Sequence, residues 1–339
     1  MGNKITYLNA SELEEDKVLL LVEASIQAYN VFEKENPGEC NKAKMHVPHG
    51  YEFVDFWTGI DSLFDRRKTV ACYGVVFRTK KTFPPSKKNP PPPPPPYTYI
   101  FAFRGTDSTK EMLEDCGLAY DKFAPYIEGT HVPPEVEVEA GFHNIYTTDD
   151  EESDTASMQH QLFALVDKYQ ASDKPIGELY TTGHSLGCTL STFFTLDMAL
   201  CRPDIKVKSY NYASPRVGNS DFVDFYTKQA PQQKPETRTV RIQNVYDKVP
   251  CVPLNIRYEH LPYAYLIAFY KDELRGKFDV VNNHSVHSYQ KVLECVFSNK
   301  NKNHICREKF QDPATLKEMK SVLPDPFAVC NCWVWLLKP

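Results

Sequence analysis

The sequence predicts an α/β fold, a mostly parallel central sheet with helices on both faces, on three observations. Strand-like and helix-like segments alternate from about residue 158 onward, the pattern of strands joined through crossover helices. Between one such strand and one such helix stands Gly183-His184-Ser185-Leu186-Gly187, a serine flanked by glycines where the chain must reverse sharply. The 339 residues are 42% hydrophobic, 13% aromatic and 24% charged, enough for a full core and without the marks of disorder. Sheet-plus-helix chains of this length commonly form one domain, so a single domain over residues 1–339 is expected.

The elements follow in order. Ser11-x-x-Glu14 reads as a capping box opening a helix that runs toward Tyr29. Thr69 to Thr79 and Tyr97 to Arg104 are rich in Val, Phe, Tyr and Ile and read as strands. Between them lies an insertion over residues 84–96, with Pro84, Pro85, Lys87, Lys88 and an unbroken proline run from Pro90 to Pro96. Such a run adopts the extended polyproline II form that SH3 and WW modules recognise, although a solvated loop is the preferred reading. Helix Met158 to Tyr169, strand Glu178 to Thr182, helix Leu186 to Cys201, strand Val207 to Ala213, helix Asp221 to Lys228, strand Thr237 to Val245 and helix Ser285 to Cys295 complete the pattern. Leu186 to Cys201 has no proline and is apolar almost all round, so this helix is expected to be buried. The apolar run Leu261 to Tyr270 could line a pocket, but a buried strand is preferred.

Charge and cysteine usage narrow the function classes. A formal charge of -5 gives no basic field for a phosphate backbone, so no nucleic-acid partner is expected. Cysteines at 40, 72, 116, 188, 201, 251, 295, 306, 330 and 332 form no C-x-x-C pair and have no histidines at zinc spacing, so no bound metal is expected. Reduced thiols of an intracellular protein are favoured over partial pairing in a secreted form. Asp16 and Lys17 interrupt the N-terminal apolar stretch, Val18 to Val22 is too short for a signal core, and no segment reaches membrane-spanning length; a cytoplasmic location is expected. Met1-Gly2-Asn3-Lys4-Ile5-Thr6 fits the N-myristoylation pattern, for which chance is the commoner explanation. Asn9-Ala10-Ser11 and Asn283-His284-Ser285 are formal glycosylation sequons, the second overlapping a residue with a better use.

That use is catalytic. A serine hydroxyl becomes a nucleophile when an imidazole takes its proton, and a carboxylate must fix the imidazole's tautomer. With Ser185 as nucleophile the partners follow in the order acid, then histidine. Asp247 lies just after a predicted strand, where the ends of parallel strands carry functional groups, and is the best acid. Asp221 is more simply a helix N-terminal charge. Beyond Asp247 stand His260, His284, His287 and His304; His284 is preferred as the base because it opens an amphipathic segment after a loop, with His287, one turn on, as the alternative. An oxyanion needs two preorganised N–H donors, one from the residue after the serine and one from a loop after an earlier strand, which selects Leu186 and Thr106 in Phe103-Arg104-Gly105-Thr106.

With these residues in place the chain resembles the class 3 lipase family. The carriers are Ile100 to Thr106, Gly141-Phe142 with Tyr146, Thr182 to Gly187, Ala213-Ser214-Pro215-Arg216-Val217-Gly218-Asn219, Asp247-x-Val249-Pro250 with Pro253, and His284 followed by Tyr289. The resemblance covers roughly residues 65–295. It implies an α/β-hydrolase fold, ester hydrolysis without cofactor, and the same Ser185, Asp247, His284, Thr106 and Leu186. It also implies a lipid or small ester substrate, acylglycerols foremost, with peripheral contact to a membrane or lipid droplet. A phospholipase A1, a galactolipase, a short-chain or aryl esterase, and a silent adaptor of the same fold stay open. The segment 107–118, the lid in fungal relatives, holds Asp107, Glu111, Glu114 and Asp115 and has Met112 where many members carry Trp.

Overall fold

A computed structural model describes residues 5–61, 69–80, 97–106, 119–150, 153–232, 234–270, 280–297, 306–311 and 333–337. The strands are β1 (Thr6–Tyr7), β2 (Tyr51–Asp61), β3 (Thr69–Thr79), β4 (Tyr97–Phe103), β5 (Tyr120–Lys122), β6 (Glu137–Glu139), β7 (Ile176–His184), β8 (Val207–Tyr212), β9 (Thr239–Asn244), β10 (Tyr263–Tyr270), β11 (Cys306–Gln311) and β12 (Trp333–Leu337). The helices are α1 (Glu15–Asn30), α2 (Ala140–Thr147), α3 (Met158–Gln170), α4 (Leu186–Cys201), α5 (Ser220–Gln229), α6 (Val280–His284) and α7 (Val286–Phe297). The main sheet runs β11-β12-β10-β9-β8-β7-β4-β3-β2, with β1 beside β10. From β4 through β7, β8, β9 and β10 to β12 every pair is parallel; β2, β3 and β4 form an antiparallel flank, and β11 pairs antiparallel with β12.

Period-two alternation along the strands divides the core into two layers. Tyr99, Phe101 and Phe103 of β4 point to the face covered by α2 to α5, where they pack with Leu162, Leu190, Phe193 and Phe222. Ile100 and Ala102 point the other way, to Val18, Leu21 and Val22 of α1 and Val292 and Leu293 of α7. α4 is buried over fourteen of its sixteen residues, as its all-round apolar sequence requires. The run from 261 to 270 contributes the buried strand β10.

Several features depart from the sequence reading, among them short strands at β1, β5, β6, β11 and β12 that it did not assign. The capping box sits two residues early: Glu12 Oε2 accepts from the Asn9 backbone N–H at 2.8 Å, and α1 starts at Glu15 with no side-chain cap. β2 was not anticipated, because its Gly59 and three acidic residues dilute an otherwise alternating stretch. The segment before the candidate histidine is the short helix α6 rather than a loop. Cys40 and Cys72 are joined by a disulfide, so the expectation of reduced thiols is corrected at these two positions; such bonds persist in oxidising surroundings. The proline insertion, the 107–118 segment, the myristoylation pattern at 1–4 and His304 lie outside the described residues.

Candidate active site

The parallel strands bring the candidate residues to one end of the sheet. Ser185 follows β7 directly and has φ +58° and ψ -129°, a backbone region that non-glycine residues occupy only when their surroundings force them. Its N–H is held by the Tyr212 carbonyl at the end of β8, 3.1 Å away. The glycines on either side serve space rather than dihedral freedom. A Cβ on Gly183 would lie 2.4 Å from the Gly187 carbonyl, and one on Gly187 would lie 2.4 Å from the Phe103 carbonyl of β4. Positive φ falls on the serine itself and on neither of them. The elbow is thus clamped between α4 and β4, and Leu186 is the first residue of α4, where helical N–H groups have no internal acceptor.

Phe103 ends β4, and the chain then passes Arg104 and Gly105 to Thr106. A Cβ on Gly105 would stand 3.1 Å from Ser185 Cβ and 2.6 Å from the His184 carbonyl, so this loop lies flat against the elbow. Arg104 is buried with its guanidinium 3.9 Å over the Phe32 ring, and its Nε donates to the Cys72 carbonyl at 2.8 Å. This anchoring fixes the start of the Gly105-Thr106 turn.

Asp247 is fully buried in the turn after β9. Its Oδ1 accepts from the Val249 N–H at 2.9 Å, and its Oδ2 accepts from His284 Nδ1 at 2.8 Å and from the Tyr289 hydroxyl at 2.9 Å. His284 is 3% exposed, and its Nε2 has no hydrogen-bond partner among the described residues. An Nδ1–H donated to a carboxylate leaves Nε2 as the basic nitrogen. The main chain of His284 is tied to the elbow, since its carbonyl accepts from His184 Nε2 at 2.6 Å. Asn244 ties it from below: its Nδ2 donates to the Asn283 carbonyl at 3.0 Å and to the Phe269 carbonyl at 3.1 Å, while its own N–H is received by Tyr289 Oη at 2.8 Å.

The alternatives fall elsewhere. His287 sits exposed on α7, with its pKa lowered by burial of the ring and then by Lys291, and makes no hydrogen bond to Asp247. Asp221 lies exposed in the first turn of α5, a helix capped by Asn219 Oδ1 receiving the Phe222 N–H at 2.8 Å. His260 is buried and donates from Nε2 to the Pro250 carbonyl at 2.8 Å. Arg216, in the Ser-Pro-Arg segment after β8, donates from Nη1 to the carbonyls of Cys251 at 2.6 Å and Pro253 at 2.8 Å, bracing the loop that follows Asp247. Among the described residues no group of three His, Cys, Asp or Glu side chains could hold a metal, and no helix is long and apolar enough to cross a membrane.

Sequence reasoning passed over Tyr29, His184, Asn244 and the role of Tyr289. Tyr29 and Asn244 lie far from Ser185 in sequence and carry no local signature; Tyr289 entered only as part of the family pattern.

Known proteins share part of this sequence and its fold. The class 3 lipase model matches residues 100–256, which hold the elbow, the Gly105-Thr106 loop and Asp247 but stop before His284. Phospholipase A1-Ialpha2, chloroplastic, of Arabidopsis thaliana is 31% identical over 45% of this chain and 32% of its own length. A secreted mono- and diacylglycerol lipase of Malassezia globosa is 31% identical over 38% of this chain and 40% of its own. The chain therefore spans well under half the length of these relatives. The nonglycosylated LIP2 lipase of Yarrowia lipolytica superposes with a TM-score of 0.54 at 17% identity, over 78% of this chain and 82% of that one, which shows the shared α/β-hydrolase fold. With the sheet order, the strained serine and the matched segment in agreement, residues 100–256 of this chain are similar to the class 3 lipase family, and the chain shares its α/β-hydrolase fold.

Proposed function

We propose that this chain hydrolyses carboxylic esters, acylglycerols foremost, through an acyl-enzyme on Ser185. One observation carries the reading: in a buried site Asp247 holds His284 by Nδ1 at 2.8 Å and leaves Nε2 without a hydrogen bond among the described residues, beside the elbow that presents Ser185. His284 Nε2 takes the hydroxyl proton as Ser185 Oγ attacks the ester carbonyl. The oxyanion forms against the N–H groups of Leu186 and Thr106, and the leaving alcohol receives the proton from His284. A water molecule then follows the same route to release the acid.

The names of the relatives, a mono- and diacylglycerol lipase and phospholipases A1, support lipid esters as the substrate class. Leu254 and Ile256, 68% and 83% exposed on the loop after Asp247, and Val281, 74% exposed on α6, support peripheral contact with lipid at this end of the molecule. Within the class we favour neutral esters of short to medium chain, because the acidic residues of 107–118 would be repelled by anionic surfaces. Phospholipase A1 activity is the second reading, carried by the Arabidopsis relative.

The deciding experiment is labelling by a fluorophosphonate probe, which needs an activated serine and nothing else. The expected result is labelling of wild type and none of Ser185→Ala; an unlabelled wild type would identify a silent adaptor. Rates on tributyrin through its solubility limit, and on phosphatidylcholine, then grade the substrates. Little change in rate at the tributyrin limit is expected, and a steep upward break there would refute the preference for dispersed esters.

A further inference from the structure

The strongest unexplained contact near the elbow comes from the N-terminal helix, outside the segment matched to the family. Tyr29, in the last turn of α1, places its hydroxyl 2.9 Å from His184 Nδ1, and the two rings meet edge to face with centroids 5.8 Å apart. The same hydroxyl occupies the space beside Gly105, where an added Cβ would come within 2.2 Å of it. On its far side His184 Nε2 is 2.6 Å from the His284 carbonyl, and its ring lies 4.5 Å from the His284 ring.

These contacts fix every proton in the chain of bonds. A carbonyl can only accept, so His184 Nε2 carries a hydrogen; in the neutral ring Nδ1 is then a lone pair, and Tyr29 must be the donor to it. Burial first, and His284 second, hold the His184 imidazole well below its ordinary range, in keeping with that neutral form. A neutral ring here is what a neighbouring base requires, because a second cation 4.5 Å away would oppose the imidazolium formed when His284 takes the serine proton.

We propose that Tyr29 and His184 act as a positioning pair for the proposed hydrolysis: Tyr29 fixes the tautomer of His184, and the His184 Nε2–H fixes the main chain of His284 against the elbow. The residue before the nucleophile thereby sets where the base stands, and α1 sets that residue. The inference rests on the reading of Ser185 and His284 as nucleophile and base.

Four variants test it: Tyr29→Phe, His184→Ala, His184→Gln and the double variant Tyr29→Phe/His184→Ala. Tyr29→Phe keeps the ring and removes only the donor. Its kcat on a soluble ester should fall roughly tenfold and that of His184→Ala ~10²-fold, each with KM within about twofold, because a displaced base slows chemistry without weakening ground-state binding. A glutamine amide offers both a donor for the His284 carbonyl and an acceptor for the Tyr29 hydroxyl, so His184→Gln should recover most of the loss. The double variant should be no slower than His184→Ala, since both act through one chain of bonds. Unchanged kcat in Tyr29→Phe and His184→Ala would overturn the proposal. So would a loss in His184→Ala that glutamine does not restore, or additive losses in the double variant. Fluorophosphonate labelling of wild type, run in parallel, separates the two ideas: no labelling removes the proposed function itself, whereas normal labelling with indifferent variants removes only the positioning pair.

Discussion

Tyr289 donates its hydroxyl to Asp247 Oδ2 at 2.9 Å, the same oxygen that receives the His284 Nδ1–H. The carboxylate is thus held from three sides, by this hydroxyl, by the imidazole and by the Val249 N–H on Oδ1. Burial, and then Asp247 itself, keep the Tyr289 phenol far above its ordinary pKa, so it remains a donor throughout the working range of pH.

Tyr289→Phe should therefore lower kcat/KM by roughly tenfold, as Asp247 loses a donor and the His284 ring its fixed partner orientation. The substitution also strands the buried Asn244 N–H, at a cost of about 1–3 kcal/mol in stability. Steady-state kinetics together with urea unfolding would check both effects; a variant with full activity would mean that the imidazole and the loop alone orient the carboxylate.

The two carboxylates and two histidines weighed in the sequence give a ranked series. Asp247→Asn should cost ~10³-fold or more in kcat through the wrong histidine tautomer, whereas Asp221→Asn, exposed on α5, should change it less than about twofold. His284→Ala should be as damaging as Ser185→Ala, at least ~10³-fold, while His287→Ala should be mild. Ester hydrolysis by the four purified variants decides the ranking, and inversion within either pair would reassign that role.

Replacing the nucleophile should reveal its strain. Ser185 has φ +58°, which glycine adopts freely and alanine does not. Both Ser185→Gly and Ser185→Ala should abolish fluorophosphonate labelling. Only the glycine variant should gain stability, by about 1 kcal/mol, read as a higher melting temperature in thermal unfolding. Equal melting temperatures would show that the elbow carries no releasable strain.

The Cys40–Cys72 bond spans 32 residues and ties the segment after α1 to β3. Closing a loop of that length stabilises the folded state on the order of 3–4 kcal/mol in the chain-entropy model. Cys40→Ser should lower the melting temperature by several degrees. Alkylation of the denatured, unreduced protein should leave these two thiols blocked, and a mass shift at both would contradict the pairing.

The legible parts of this molecule were those governed by local pattern. α4 was bounded correctly at both ends because sixteen residues without proline or glycine beyond the elbow leave no other stopping point. β10 was legible because a buried parallel strand reads as an apolar run, and β8 and β9 because their Val, Ile, Thr and Tyr residues favour strands. The capping box was displaced by two residues, since Asn9 and Glu12 compete for the same role as Ser11 and Glu14 and nothing local separates them. At the site, the glycine spacing announced Ser185 and the order of residues suggested Asp247 and His284. The contacts of Tyr29 and Asn244 depend on how α1 and β10 pack across the sheet, and no spacing along the chain encodes that.

β4 and its partner β3 meet in the register Gly74 to Phe103 and Arg78 to Tyr99, so their connection begins and ends at Lys80 and Tyr97 while Phe103 leads to the oxyanion loop. Seven extended residues of β4, about 20 Å, separate the two ends. The two anchor points of that connection thus lie at the end of β4 away from the elbow, and each doubling of a flexible connection costs only about 0.6 kcal/mol. The opposite end has no comparable freedom, because there even a methyl group on Gly105, Gly183 or Gly187 would collide with backbone. Added chain length, such as a grafted reporter domain, is therefore better tolerated at the Lys80 and Tyr97 end than added side-chain bulk is at the elbow.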